Sequence, residues 1–279
     1  MKTFSKKPGE ERTRPVDCPA CGGSEKTPYV RSEGSVFVRC RGCGLLYQDP
    51  QPQHEDLSQR YDSEYFDYEI RNEEAFYKLM RLGLRDVGFE TLTGDLGQPR
   101  RFLDVGCATG RLISALSDEG WETSGVELCP WSAAYGRTER NLAIHTGTLE
   151  DASFPAESFE VVHASHLIEH LTGPVEFLRE IHRVLVPGGY CILVTPNTAG
   201  FQARLFREHW RSLIPDHVCL FSVDTLASLL GREGFTVLRR KTWGGLGAGT
   251  APRPIKYLFD RAAKLFGFGD VMIILSIKA

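Results

Sequence analysis

The stretch Phe102-Leu-Asp-Val-Gly-Cys-Ala-Thr-Gly110 decides the fold. It reads as a buried strand, Phe102–Val105, running into a glycine-bearing turn, and Arg111–Glu119 beyond it has helical periodicity. Gly106 lets the backbone come close to a ligand, and Gly110 opens a helix whose first N–H groups face that ligand. The spacing is GxxxG with no further glycine at the helix start, which departs from the GxGxxG dinucleotide fingerprint. Asp104 stands at the turn's entrance, where it repels a pyrophosphate; a cationic cofactor with an amino-acid moiety suits that charge better. Seventeen residues after Gly110, Glu127 closes the next strand pattern, in the run Glu122-Thr-Ser-Gly-Val-Glu-Leu-Cys-Pro130. A carboxylate there can accept both hydroxyls of a ribose, although a solvated strand end has the same pattern.

Outward from this unit, short apolar runs alternate with helical segments, as in a parallel α/β sheet. The expected strands are Phe102–Val105, Thr123–Glu127, Leu142–His145, Glu160–Ala164, Tyr190–Thr195, Phe235–Arg240 and Val271–Ile277. Helices are expected at Asn72–Leu92, Arg111–Glu119, Trp131–Arg140, Pro174–Leu185 and Val223–Arg232, with an amphipathic segment at Pro254–Phe266. The chain divides into a disordered basic leader (1–15), a cysteine-built unit (16–48), a connector and helical lid (49–100) and the α/β domain (101–279).

Composition narrows the function. Of 279 residues, 42% are hydrophobic and 25% charged, with a net charge of -3. That balance excludes a largely disordered chain and argues against a protein built to grip a nucleic-acid backbone. No apolar run reaches the roughly 18 residues of a membrane span, and the basic N-terminus has no apolar signal core, so the expected location is cytoplasmic.

Four of the eight cysteines form two pairs, Cys18-x2-Cys21 and Cys40-x2-Cys43, separated by 18 residues. This is tetrathiolate zinc spacing, and the knuckle contexts CPACG and CRGCG carry a glycine after the second cysteine of each pair. Four thiolates leave no open coordination position, so a zinc held by Cys18, Cys21, Cys40 and Cys43 is structural. The segment between the pairs sets Lys26, Arg31 and Arg39 against Glu25 and Glu33, which is no basic stripe.

LDVGCATG (103–110), GVEL (125–128), GTLEDASFPAESFEVV (147–162), HLIEHL (166–171), RVLVPGGYCILVTPN (183–197) and GFTVL (234–238) resemble, in order, the class I S-adenosylmethionine-dependent methyltransferases. The resemblance implies a Rossmann-like seven-stranded sheet with its last strand antiparallel. It implies cofactor contacts from Asp104, Gly106, Cys107, Ala108 and Gly110, with Glu127 on the ribose, Leu128 flanking the adenine and Thr148 and Leu149 near its edge. Where members often carry a third glycine, this chain has Ala108. The zinc ribbon followed by a Tyr-rich connector resembles a bacterial subgroup associated with sugars, cell-surface glycans and secondary metabolites. In similar proteins that connector folds over the cofactor, which makes Tyr65, beside Tyr61 and Phe66, the lid candidate.

Methyl transfer to a hydroxyl needs alignment and a base, and histidine is the usual one. Two catalytic candidates stand out. His166 lies with Glu169 and His170 at i, i+3 and i+4, just past the fourth strand, on one face if the turn is helical. The same segment resembles the metal-binding stretch of ubiquinone-pathway O-methyltransferases, with His166 where those have Glu, so a second divalent metal at His166, Glu169 and His170 stands as the less favoured reading. His217, in WRSLIPDHVCLFS (210–222), is the other base candidate. The apolar stripe of Ile255–Phe266 is expected to pack on the sheet or a partner subunit, with a membrane surface or lipid-linked substrate as the alternative.

The expected activity is methyl transfer from S-adenosylmethionine to a small-molecule acceptor, a hydroxyl of a sugar, glycan precursor or secondary metabolite. An RNA base methyltransferase using the ribbon for recognition is the first rival, disfavoured by the charge balance. A non-catalytic scaffold is the second, disfavoured by the intact Asp104, Gly106, Gly110 and Glu127.

Overall fold

The computed structural model describes residues 12–53, 62–94, 96–245 and 252–279. In chain order the strands are β1 (Thr13–Arg14), β2 (Lys26–Ser32), β3 (Ser35–Cys40), β4 (Leu46–Gln48), β5 (Gln51–Pro52), β6 (Arg101–Val105), β7 (Glu122–Glu127), β8 (Ile144–Thr146), β9 (Phe159–Ser165), β10 (Leu185–Pro196), β11 (Cys219–Leu220), β12 (Phe235–Trp243) and β13 (Val271–Lys278). The α-helices are α1 (Ser63–Asp86), α2 (Phe89–Thr93), α3 (Arg111–Asp118), α4 (Pro130–Arg140), α5 (Pro174–Val184), α6 (Phe201–Phe206), α7 (Val223–Arg232) and α8 (Arg253–Phe266).

The main sheet has seven strands in the order β12-β13-β10-β9-β6-β7-β8, with β6 to β10 parallel and β13 antiparallel to both its neighbours. Its central strands read as continuous apolar runs because both faces are covered. Phe102, Val161, Ile192 and Ile273 face one side, with Leu84, Leu112, Leu116 and Ala133 of α1, α3 and α4. Their sequence neighbours Leu103, Val162, Leu193 and Ile274 face the other, with Phe177, Ile181, Leu226 and Leu229 of α5 and α7. One-residue alternation thus feeds two cores.

Local departures from expectation have local causes. The helix expected from Asn72 starts at Ser63, because the Asp62 carboxylate caps it by accepting from the N–H groups of Glu64 and Tyr65. It breaks at Gly88, which has φ +68°. The strand expected from Leu142 starts at Ile144, because Asn141 adopts a left-handed cap and Leu142 N–H returns to Gly136 O, closing α4. Residues 1–11 of the expected leader lie outside the described residues; Thr13–Arg14, at its end, pair with Gln51–Pro52.

The cysteine-built unit is not a detached bead. Strands β2, β3 and β4 form an antiparallel sheet, and β11 of the α/β domain adds to β4 through Cys219↔Tyr47 and Leu220↔Leu46. Gln48 Nε2 donates to Pro215 O and His217 O at 2.9 Å each, and Gln48 N–H to Val218 O. Phe37 and Leu46 share a small core with Ala203, Trp210, Leu213 and Leu220.

Candidate functional site

At the C-terminal end of β6 the chain turns through Gly106 (φ +75°), Ala108 (φ +51°) and Gly110 (φ +77°). Left-handed backbone is cheap for glycine and strained for alanine, so Ala108 is held by its surroundings. Its N–H donates to Glu127 Oε2 at 2.9 Å, and Cys129 N–H donates to Glu127 Oε1 at 2.7 Å. Glu127 therefore ties the turn to the start of α4. Leu128 N–H adds to these two amides, and a carboxylate's roughly four lone-pair sites still leave room for a further donor such as a ribose hydroxyl. Burial raises the Glu127 pKa above its ordinary value, against the pull of these amides.

The remaining sequence candidates divide. Asp104 is buried and pairs with His163 Nδ1 at 2.7 Å across β6 and β9, so its carboxylate lies inside the sheet rather than open at the turn. The Cys107 thiol is buried, with its pKa pushed well up by burial, leaving only its backbone at the turn. Leu128 is half-buried at the β7 end. Thr148 closes a turn with Asp151, and Leu149 sits in the core, so its side chain is not at a pocket edge.

Tyr65 lies on α1, and that helix carries residues the sequence reading missed. Glu69, buried, accepts from Ser132 Oγ on α4 and from Tyr65. Glu73 accepts from Thr109 Oγ1 and pairs with Arg140, and Glu74 pairs with Arg111 at 2.9 Å. Tyr65, Glu69 and Glu73 recur every four residues, a helical stripe that was readable in principle. Burial, then the charge of Glu127, raises Glu69 to about 8, so this pair keeps a proton that two separate carboxylates would lose. Thus α1 is latched onto the glycine turn.

Beyond β9 the second cluster forms. His166 has φ +54°, a left-handed conformation in a non-glycine residue. Its Nδ1 lies 3.0 Å from Glu169 Oε1, and Thr195 Oγ1 donates to Glu169 Oε2 at 2.9 Å. The His166 side chain is 51% exposed while that of Glu169 is fully buried. Burial raises the Glu169 pKa, but the His166 hydrogen bond and the neighbouring imidazoles overcome it and bring the carboxylate down to about 2. A Cβ built on Gly106 would lie 3.6 Å from the Leu167 side chain, so the His166 segment abuts the glycine turn.

His217 is buried, with Nδ1 donating to Ser212 O at 2.9 Å and its ring edge-on to His170 at 4.8 Å. Burial, then His170, lowers its pKa to about 3, so it is neutral at physiological pH and a poor proton acceptor. Ligand atoms of Glu169, His170 and His217 lie within 4.8 Å of one another. The metal-capable trio therefore includes His217 in place of His166.

The cysteines converge as spaced. The Cys18 and Cys43 sulfurs are 3.5 Å apart, as are those of Cys21 and Cys40, and all four lie within 4.8 Å. The hydrogen bond from Cys18 holds the Cys43 pKa down to about 5.

Comparison with known proteins agrees with this geometry. A family model described as "Methyltransferase domain" matches residues 71–240. The demethylmenaquinone methyltransferase of Chlorobaculum parvum is 28% identical over 131 residues, 46% of this chain and 54% of that protein. A probable S-adenosylmethionine-dependent methyltransferase of Mycolicibacterium smegmatis is 30% identical over 139 residues, 50% of this chain and 52% of that protein. The chain spans about half the length of these curated relatives. In fold it is similar to a methyltransferase from Thermotoga maritima (TM-score 0.54, 22% identity, 77% of this chain and 98% of that one). It is also similar to the [4+2]-cyclase SpnF (TM-score 0.52, 18% identity, 74% and 81%), so the fold alone does not fix the chemistry. With the family model spanning more than half its length and the glycine turn, Glu127 and strand order in place, the chain belongs to the S-adenosylmethionine-dependent methyltransferases.

Proposed function

We propose that the protein transfers a methyl group to a hydroxyl of a small acceptor, a sugar or related metabolite, with His166 as general base. The observation that carries this reading is the His166–Glu169–Thr195 chain abutting the glycine turn. Bound S-adenosylmethionine supplies the methyl group as an electrophilic sulfonium carbon. The backbone at Gly106, Ala108 and Gly110 would hold its amino-acid end, Glu127 its ribose and Leu128 its adenine, with Tyr65 on the covering helix.

His166 takes the hydroxyl proton on Nε2. Glu169, ionised and buried, keeps Nδ1–H oriented and stabilises the imidazolium. Thr195 fixes the second carboxylate oxygen. His217, too weakly basic to compete, serves as the buried neutral wall that keeps Glu169 and His170 in place. A relative named as a ubiquinone biosynthesis O-methyltransferase also favours oxygen of a small acceptor.

Cys18, Cys21, Cys40 and Cys43 hold a structural zinc in this reading. A tetrahedron with Zn–S bonds of about 2.3 Å needs sulfurs roughly 3.8 Å apart, which the cluster meets with small shifts. The test is transfer from methyl-labelled S-adenosylmethionine to fractionated bacterial extract. Label in small molecules, lost in His166→Ala, is expected. Label confined to RNA would overturn the acceptor class, and no cofactor binding at all would overturn the enzyme reading.

A further inference from the structure

Helix α8 does not bury its whole stripe on the sheet, one of the two packings expected from the sequence. Phe259 and Ala263 turn inward, Phe259 packing on Phe201 of α6 and on Phe268. Tyr257, Leu258, Leu265 and Phe266 stay outside, with Leu265 78% exposed. On α6, Leu205 follows the Phe201 anchor by one turn and is exposed, as is the adjacent Phe206. Two touching helices therefore carry most of the strongly exposed large apolar side chains among the described residues.

Their charges have one dominant sign in a chain whose net charge is -3. Lys256, Arg261 and Lys264 stand on α8 against Asp260, and Arg204 and Arg207 stand at α6 against Glu208. Lys256 pairs with Asp260 and Lys264 with Asp86, whereas Arg204, Arg207 and Arg261 have no acidic partner among the described residues. Arg204 and Arg207, with Glu208 beside them, also line a groove of about 430 Å³ with Tyr29 and Val30 of β2, so a net positive surface continues toward the cysteine unit.

We infer that α6 and α8 form a docking surface for an anionic lipid bilayer. Leu258, Leu265 and Phe266 enter the headgroup boundary, and Arg204, Arg207 and Arg261 meet lipid phosphates. A second copy of the chain would set the same positive excess on both sides of the contact, whereas an anionic bilayer neutralises it. This holds whatever the methyl acceptor is.

The test is co-sedimentation of the full, cofactor-binding protein with vesicles of phosphatidylcholine alone or mixed with phosphatidylglycerol. Binding to the mixed vesicles that falls about tenfold in Arg204→Glu/Arg207→Glu and in Leu258→Asp/Leu265→Asp, and weakens with added salt, is expected. Both pairs are exposed; far-UV circular dichroism and cofactor affinity confirm that each variant folds. Failure of the wild type to bind mixed vesicles would overturn the inference, as would equal binding to pure phosphatidylcholine. A dimer that Leu265→Asp dissociates, with no vesicle binding, would assign the face to a second copy instead.

Discussion

The proposed cofactor end and the proposed acceptor end of this molecule are built differently. The first is a strand, its turn and the close of the next strand: Gly106, Ala108, Gly110 and Glu127 lie within 22 residues. The second is gathered from the ends of β9 and β10, the segment around His217 and, behind that, β4 of the cysteine unit. Gln48 holds the carbonyl of His217 across 169 residues of sequence. The cofactor end is thus fixed by local geometry, and the acceptor end depends on tertiary packing and on the cysteine centre.

Substitutions separate the two ends. His166→Ala should lower kcat by about 10³-fold, the scale of a lost general base, while cofactor affinity by calorimetry stays within a few-fold. An equal loss of both would place His166 at the cofactor instead. Glu127→Ala should do the reverse, weakening cofactor affinity by about 10²-fold through a lost charge-assisted hydroxyl contact. Cys18→Ser should destabilise the N-terminal unit by several kcal/mol, on the order of a lost structural metal ligand. Because β11 leans on β4, turnover should fall with it while cofactor binding persists; the check is zinc content, thermal melting and calorimetry on one sample.

Acid should act on the acceptor end. The folded chain resists protonating His217 down to about pH 3, whereas the unfolded chain takes that proton near 6.5. Stability therefore falls as pH drops from about 6.5 toward 3. Glu169, held at about 2, adds stability that is present above its ordinary value of 4.5 and lost as pH falls toward 2. His217→Gln should flatten the urea midpoint between pH 7 and 5, and an unchanged slope would show that His217 is not the source. The smallest effect belongs to the helix latch. Glu69, raised to about 8, favours folding below 4.5 and loses that contribution as pH rises through 8. Glu69→Gln should make α1 less sensitive to pH 7–9 by amide exchange.

The same division explains what was legible in the sequence. The parallel α/β class and the strand positions followed from alternation and the glycine turn, the antiparallel last strand from the family resemblance, and the cysteine pairs converged because their spacing is itself a geometric statement. Glu127 was readable from its distance to Gly110. Missed were the Glu69, Glu73 and Glu74 latches and the Asp104–His163 pair, because each depends on which element packs beside it. Sequence offered His166 and His217 as alternative bases. Burial separates them, since an imidazole sunk in the interior cannot hold a proton, and burial is a property of the packed chain rather than of the residue.

The pairing of β4 with β11 also has a consequence for synthesis. The ribosome releases Gln48 long before His217 exists, 169 residues and roughly ten to thirty seconds later at ordinary elongation rates. During that interval the outer edge of β4 has no neighbour, and an unpaired edge is a template for pairing with other chains. A nascent chain that closes its cysteine centre early would hold that edge in a rigid, correctly registered form until its last partner emerges.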